Sequence, residues 1–146
     1  MLSYTCKTAI KAVIYLASKF ESNSRESVRE ISSAIEASEH TVGKLLQTLV
    51  RQQVIHSTKG PSGGFHLDKK QMHQPAINIV FAIDGKTIFK ECGLGLNKCS
   101  EIHPCPIHFQ YKEARDIIEN IFRDKKIFQL ADVVDAGKSF LNNTKN

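Results

Sequence analysis

The sequence predicts a mainly α-helical chain with one small β-hairpin, arranged as a winged helix-turn-helix followed by a long C-terminal helix. Three observations predict it. Apolar residues recur at helical spacing through the first 50 residues, in three blocks separated by polar breaks. The stretch VIHSTKGPSGGFHL then interrupts that period with two short strand-forming runs around a turn rich in glycine and proline. From Ile107 onward, apolar residues repeat at heptad-like steps over some four turns.

In order along the chain, residues 3–20 place Ala9, Ala12, Val13, Leu16 and Ala17, with Ile10, Ile14 and Phe20, at helical spacing. Asn23, Ser24 and Arg25 form a polar break. Ser27-Val-Arg-Glu30 is a capping box, in which the serine hydroxyl accepts from the Glu30 amide while the glutamate reaches back. A helix over about 28–36 follows, with Val28, Ile31 and Ile35 facing inward. Ser38 is a good N-cap for a third helix over about 39–52, whose buried stripe is Val42, Leu45, Leu46 and Leu49. Two short helices joined by a tight turn fit a helix-turn-helix. Val54–Ser57 and Phe65–Leu67 are the expected strands of the hairpin, and Lys59–Gly64 is its basic tip. The glycines supply backbone with positive φ and close approach. Residues 76–83 read as a short buried helix, since Pro75 suits a helix's first turn and Asp84-Gly85 ends it. A loop occupies about 86–106. One long helix over about 107–124 carries the seam Ile107, Tyr111, Ala114, Ile118 and Ile121, widened by Ile117 and Phe122. Phe128–Leu141 closes the chain as a last helix, and NNTKN is expected to be disordered. The regions are 1–70 (winged helix-turn-helix), 71–106 (short helix and cysteine-rich loop), 107–141 (long helix and C-terminal helix) and 142–146 (tail).

At 146 residues and 41% apolar, the chain is one domain by size, or a small domain plus an extension, and can bury a core. Its net charge is +5, with a pI near 9.1. Residues 1–70 hold ten lysines and arginines against six acidic residues, whereas residues 84–146 hold ten against nine. A basic front half points to a polyanionic partner. The apolar N-terminus carries Lys7, Lys11 and Lys19 and lacks a small-residue cleavage site, so it reads as a helix of the mature protein. No run is long enough to span a membrane. A cytoplasmic location is the expectation.

Three of the four cysteines lie in ECGLGLNKCSEIHPCPIH. Six residues separate Cys92 from Cys99, five separate Cys99 from Cys105, and two separate Cys105 from His108. Thiolates and an imidazole on a pliable loop can converge on a soft metal centre. Closed zinc sites favour Cys-x2–4-Cys pairs, which are absent here. Wider spacing suits an iron–sulfur cluster, whose irons are held apart by sulfides. Iron–sulfur therefore ranks first, zinc second, and a disulfide or bare redox thiols third, since nothing marks the chain as secreted. His103 is a spare ligand candidate that reads better as a solvated loop residue. His56, His66 and His73 have no metal role in this reading.

The order of these features resembles the Rrf-two family of bacterial winged-helix transcriptional regulators, in its iron–sulfur branch (IscR-like and NsrR-like members). KTAIKAVIYLA is similar to the family's first helix, KGPSGGFHL to its wing signature, and CGLGLNKCSEIHPCPIH to its cluster loop. The resemblance implies a homodimer built on the long helix and bound to double-stranded operator DNA. It also implies a cluster held by three cysteines, here Cys92, Cys99 and Cys105. His108 matches the histidine ligand of the 2Fe–2S branch, which places 2Fe–2S ahead of 4Fe–4S. In the nitric-oxide-sensing branch the fourth ligand is instead a carboxylate near the N-terminus of the partner subunit. Lys7 stands there in this chain, with Cys6 just before it. Cys6 from the other protomer stays open as a ligand, beside the reading that it is simply buried. The first cysteine spacing is one residue longer than in the IscR-like loop. Gly43 and Lys44 replace that pattern's glutamate and glutamine, so the operator does not carry over. Such clusters are easily lost, and purified protein can be metal-free.

DNA contact is expected from the first turn of the third helix and from the wing. Ser38, His40, Thr41 and Lys44 face the major groove, with Gln47 a weaker candidate one turn on. Lys59, Ser62 and the amides of Gly63 and Gly64 follow the adjacent backbone or minor groove, and Lys7 and Lys11 add phosphate contacts. Gly43 is read as letting DNA or a neighbouring helix come close. The functional expectation is a DNA-binding regulator, a repressor, controlled by a cluster that senses nitric oxide, redox state or cluster supply. The alternative is a winged-helix regulator with a structural zinc or direct thiol sensing. An enzyme is not expected, because no phosphate loop, nucleophile elbow or paired acid/base motif is present.

Overall fold

Residues 1–142 are described by the computed structural model of the chain. Helix α1 (Tyr4–Ser18) is its axis, packing against four other helices. Its N-cap is Ser3, whose hydroxyl accepts from the Cys6 amide, and its buried residues include Cys6, Ala9, Ala12, Val13, Leu16 and Ala17. Small residues along this face bring neighbouring helices close, and α1 touches α2 (Val28–Ile35), α3 (Glu39–Arg51), α5 (Ile77–Asp84) and α7 (Ile127–Asp135). The Ser27/Glu30 capping box opens α2, and Ser38 caps α3 by accepting from the Thr41 amide. The expected stripe Val42, Leu45, Leu46 and Leu49 is buried, each leucine contributing about 1.5–3 kcal/mol.

The wing is a two-stranded antiparallel hairpin. Strand β1 (His56–Thr58) pairs with β2 (Gly64–His66) in the register His56↔His66, Ser57↔Phe65 and Thr58↔Gly64. Pairing begins two residues later than expected because Val54 and Ile55 are both buried in the core. Successive strand residues face opposite sides, so two neighbours buried together cannot belong to a half-exposed strand. A third chain segment joins the hairpin. Glu26 forms a bridge with Phe65, amide to carbonyl in both directions (3.0 and 2.8 Å). The polar break before α2 therefore belongs to the sheet.

Two short elements were not expected: helix α4 (Lys69–Met72) and a 3-10 turn over Ile88–Lys90. Helix α4 opens with a capping box between Asp68 and Gln71. Residues 77–84 are helical, ending at Gly85. Helix α6 (His108–Asp124) is the long helix, one residue shorter at its start than expected. Helix α7 stops at Asp135, six residues before the expected Leu141. There Lys138 donates to Val133 and Gly137 to Val134, with Gly137 at φ 70, a Schellman end that halts the helix. Of the segment expected to be disordered, 143–146 lie outside the described residues. The Asn142 amide donates to the Ala34 carbonyl at 3.0 Å.

The main core gathers α1, α2, α3, Val54, Ile55, Leu67, Met72, Ile79 and α7. A second, smaller cluster joins Cys6, Ile77, Val80 and Phe89, with Ile118 and Phe122 of α6 packed on it. No described helix is long and apolar enough to cross a membrane.

Candidate metal centre and nucleic-acid interface

The cysteine loop closes back on the start of α6. Cys92, Cys105 and His108 are buried and Cys99 is half-buried, all four thiols of the chain being free. One pair of the candidate donors is in direct contact. The Cys99 Sγ lies 3.4 Å from His108 Nδ1. The Leu94 and Leu96 amides, ahead of the Cys105 thiol, hold the Cys92 thiol below its ordinary range. Among the described residues, no three of His, Cys, Asp and Glu gather closely enough around one point to hold a single metal ion. The other ring nitrogen of His108, Nε2, is buried and has no hydrogen-bond partner. A buried, unpaired imidazole nitrogen beside free thiols is a donor set that a soft metal satisfies. The group implied by the cysteine pattern fits these residues on that ground.

Two contacts fix the loop to α6. Arg115, two turns along the helix from His108, donates to the Glu91 carbonyl and lies 3.6 Å from Cys99 Sγ. The Tyr111 ring lies against Gly93, where an added Cβ would stand 2.7 Å from it. Tyr111 thus faces its own loop rather than an outward seam. The seam divides accordingly. Ile118 and Phe122, four residues apart, pack inward on the second cluster. Ile107, Ala114, Ile117 and Ile121 are exposed, Ile117 by 58% and Ile121 by 54%.

Cys6 stands apart from the loop's donors. It is fully buried in α1, and burial, followed by the Asp84 charge and hydrogen bond, pushes its thiol up to about 12. His103 is exposed. His73 hydrogen-bonds the Lys69 carbonyl, while His56 pairs with Asp68 at 2.7 Å.

On the helix-turn-helix side, His40, Lys44 and Gln47 are exposed along one flank of α3. Ser38 and Thr41 engage each other, hydroxyl to hydroxyl at 2.9 Å, so both help cap α3. Lys59 and Ser62 are exposed at the wing tip. Gly63 serves the turn itself: a Cβ there would stand 2.0 Å from the Thr58 carbonyl oxygen. Beside it, Gly64 forms the last strand pair of the wing. The Lys11 ammonium lies against the Ile35 carbonyl at 3.4 Å, and Lys7 is exposed. Gly43 meets only the Val28 side chain, at 3.9 Å.

Residues 2–135 match the Rrf2 family, described as Iron-dependent Transcriptional regulator. The chain belongs to the Rrf2 family. It is a transcriptional regulator, and a transcriptional regulator acts on DNA; this is not an enzyme family. A candidate HTH-type transcriptional regulator from Aquifex aeolicus (strain VF5) is 27% identical over 135 residues, covering 91% of this chain and 92% of that one. Among solved structures, T. potens IscR aligns at TM-score 0.72 and 14% identity, over 95% of this chain and 91% of that one. CymR, the global cysteine regulator of B. subtilis, aligns at TM-score 0.67 and 18% identity, over 90% and 96%. The oxidized form of Staphylococcus aureus CymR aligns at TM-score 0.66 and 20% identity, over 90% and 95%. At these identities the likeness establishes the winged-helix fold shared by Rrf2 regulators. Sequence reasoning missed Arg115, whose only signal is a basic residue two turns after His108 on the same helical face.

Proposed function

We propose that this Rrf2 regulator binds double-stranded operator DNA as a homodimer, and that an iron–sulfur cluster on Cys92, Cys99, Cys105 and His108 sets its operator affinity. The observation that carries this reading is the donor set: three free thiols and an imidazole on one loop and helix start, Cys99 Sγ 3.4 Å from His108 Nδ1, with His108 Nε2 buried and unpaired. Donors that do not gather around a single point suit a binuclear centre better than one zinc, which takes four around one ion. The 2Fe–2S form is the one proposed. When bound, the cluster supplies a centre reactive to nitric oxide, to oxidants and to iron–sulfur supply.

The chain's own residues do the rest. His40, Thr41 and Lys44, with Ser38 holding the helix start, enter the major groove. Lys59, Ser62 and the Gly63–Gly64 backbone follow the neighbouring phosphates. Ala114, Ile117 and Ile121 of α6 form the seam for a second copy, which sets the separation of the two recognition helices. Near-complete switching from repressing to released requires the two states to differ by about 5.5 kcal/mol in DNA affinity. A second reading, direct thiol sensing without metal, is favoured by the three free thiols of the loop, the Cys92 thiol being held below its ordinary range by the Leu94 and Leu96 amides. A structural zinc is the third.

Anaerobic purification with iron, sulfide and zinc assays and a visible spectrum tests these readings, repeated on Cys99→Ala. Coloured protein with matched iron and sulfide, bleached in the variant, is expected. Colourless protein that stays iron-free after anaerobic reconstitution would sink the cluster reading. In that case, loss of DNA binding on oxidation, reversed by reductant, would leave thiol sensing in place.

A further inference from the structure

We propose that Arg115 is the charge-balancing residue of this centre, a positioning residue that acts through Cys99 and raises the reduction potential of the iron–sulfur group; the inference rests on the cluster reading above.

The buried residues of α6 are His108 and Arg115, both polar. Helices of small proteins bury apolar stripes, and a fully buried arginine is rare unless paired. These two stand seven residues apart, so they lie on one helical face two turns from each other, and that face looks into the cysteine loop. Arg115 is 5% exposed. It cannot shed its charge in a protein. Yet among the described residues it forms no ion pair with a carboxylate. Lys112, not Arg115, pairs with Glu101 and Asp116, at 3.9 and 3.5 Å. Arg115 Nε is buried and unpaired. Its Nη1 reaches only the Glu91 carbonyl and the Cys99 sulfur. A buried cation without a carboxylate requires anionic charge elsewhere, and the sulfur donors are what it faces.

Geometry gives the residue a second effect on the same atoms. Its Nη1 bridges Glu91, immediately before the first cysteine, to Cys99 in the middle of the loop. The entry and midpoint of the loop are thus held to one side chain on a regular helix. Hydrogen bonds and positive charge at a ligating sulfur are among the protein's means of setting cluster potential. Two ferric ions, two sulfides, three thiolates and a neutral imidazole carry one net negative charge. One electron from an external reductant such as dithionite adds a second, with no bond broken and no proton required. A fixed cation favours the more negative state.

The test uses full-length protein loaded anaerobically, as wild type, Arg115→Gln and Arg115→Lys, with iron and sulfide content and a dye-mediated redox titration followed by visible absorbance. Expected are comparable iron and sulfide in all three, a midpoint displaced to more negative potential in Arg115→Gln, and return toward the wild-type midpoint in Arg115→Lys. Unchanged midpoint in a fully loaded Arg115→Gln protein overturns the proposal. So does Arg115→Lys behaving like Arg115→Gln, because the charge is then not what acts. If Arg115→Gln fails to load, recovery of both loading and midpoint in Arg115→Lys supports the charge role, and failure of both variants overturns it. Wild-type protein that takes up neither iron nor sulfide brings down the cluster reading itself and this inference with it.

Discussion

Replacing Gly43 with alanine should stabilise this protein without weakening its hold on DNA. Gly43 sits in the interior of α3, with helical neighbours on both sides. Glycine there costs about 0.8–1 kcal/mol relative to alanine, mainly through the chain freedom lost on folding. Whether alanine recovers that amount depends on what its methyl group meets. The nearest atom is Val28 Cγ1 at 3.9 Å, ordinary van der Waals contact with α2. No steric penalty offsets the gain, so about 1 kcal/mol should appear, raising Tm by roughly 3 °C in a domain of this size. Among the described residues, the only atom within 4 Å of the methyl outside its own helix belongs to Val28 of α2, although Gly43 lies one turn from both His40 and Gln47. A methyl adds no charge to that flank, so duplex DNA affinity at fixed salt should stay within about twofold. Thermal melts at matched protein concentration, because association shifts apparent stability, and fluorescence anisotropy with duplex DNA measure the two quantities. A fall in Tm would mean that α2 and α3 approach more closely than this geometry allows. Unchanged stability with DNA binding lost would mean that the glycine serves close approach of the nucleic acid.

Three further outcomes follow from the same structure. Lys59→Ala, at the wing tip proposed to follow the phosphates, should weaken binding to all duplex sequences and reduce the slope of log affinity against log salt by about 1; an unchanged slope would remove it from the interface. Cys6, with its thiol near 12 against an ordinary 9.0, should hold about a thousandfold less thiolate at pH 8 than an exposed cysteine. In folded, metal-free protein it should stay unlabelled by iodoacetamide while loop cysteines react, and early labelling of Cys6 on mass spectrometry would contradict the packing around α1. Asp68 caps α4, and the Gln71 amide, ahead of His56, holds its carboxyl below the ordinary value. Its folded pKa is depressed, so its contribution is present above about pH 4 and lost as pH falls through the depressed value. Asp68→Ala should cost about 1 kcal/mol at pH 7 and much less near pH 2.5; equal cost at both would show that the charge is irrelevant.

What the sequence discloses depends on how local the cause is. The helices of the N-terminal half are legible because their period and caps lie within a few residues, as with Ser27 and Glu30 or Ser38 and Thr41. The wing is legible from composition, although its register is not: Val54 and Ile55 read as strand but are taken by a core whose other residues are distant in sequence. The bridge from Glu26 to Phe65 has no local signal at all, since it joins segments 39 residues apart. For the long helix, periodicity identified apolar positions but could not say which of two adjacent faces turns inward. Ile118 and Phe122 went inside, whereas Ile117 and Ile121 stayed out. Cysteine density marked the loop thiols, but not the contact of Cys99 with His108 or the arginine beside it. Helix α4 is the opposite case: Asp68-x-x-Gln71 is a visible capping signal, too short to stand out beside longer elements.

Helix α1 stands between the donor loop and the helix-turn-helix, and its two ends are packed differently. At one end Cys6 meets Phe89, Ile77 and Val80, and Phe89 lies three residues before Cys92. Along the rest, Ala9 to Ala17 pack against Ile31 and Ile35 of α2 and Val42, Leu45 and Leu46 of α3. Protein interiors are close-packed, so a displacement of Phe89 either opens a void beside Cys6 or carries α1 with it. Voids cost about 24 cal/mol per Å3, whereas a small rigid shift of a helix repacks contacts at lower cost. Ser3 reinforces the second course, because its amide and hydroxyl both bond the Asp84 carboxylate and tie the start of α1 to the end of α5. A change of state in the loop is therefore better placed to reach α2 and α3 by moving α1 as a body than by local melting.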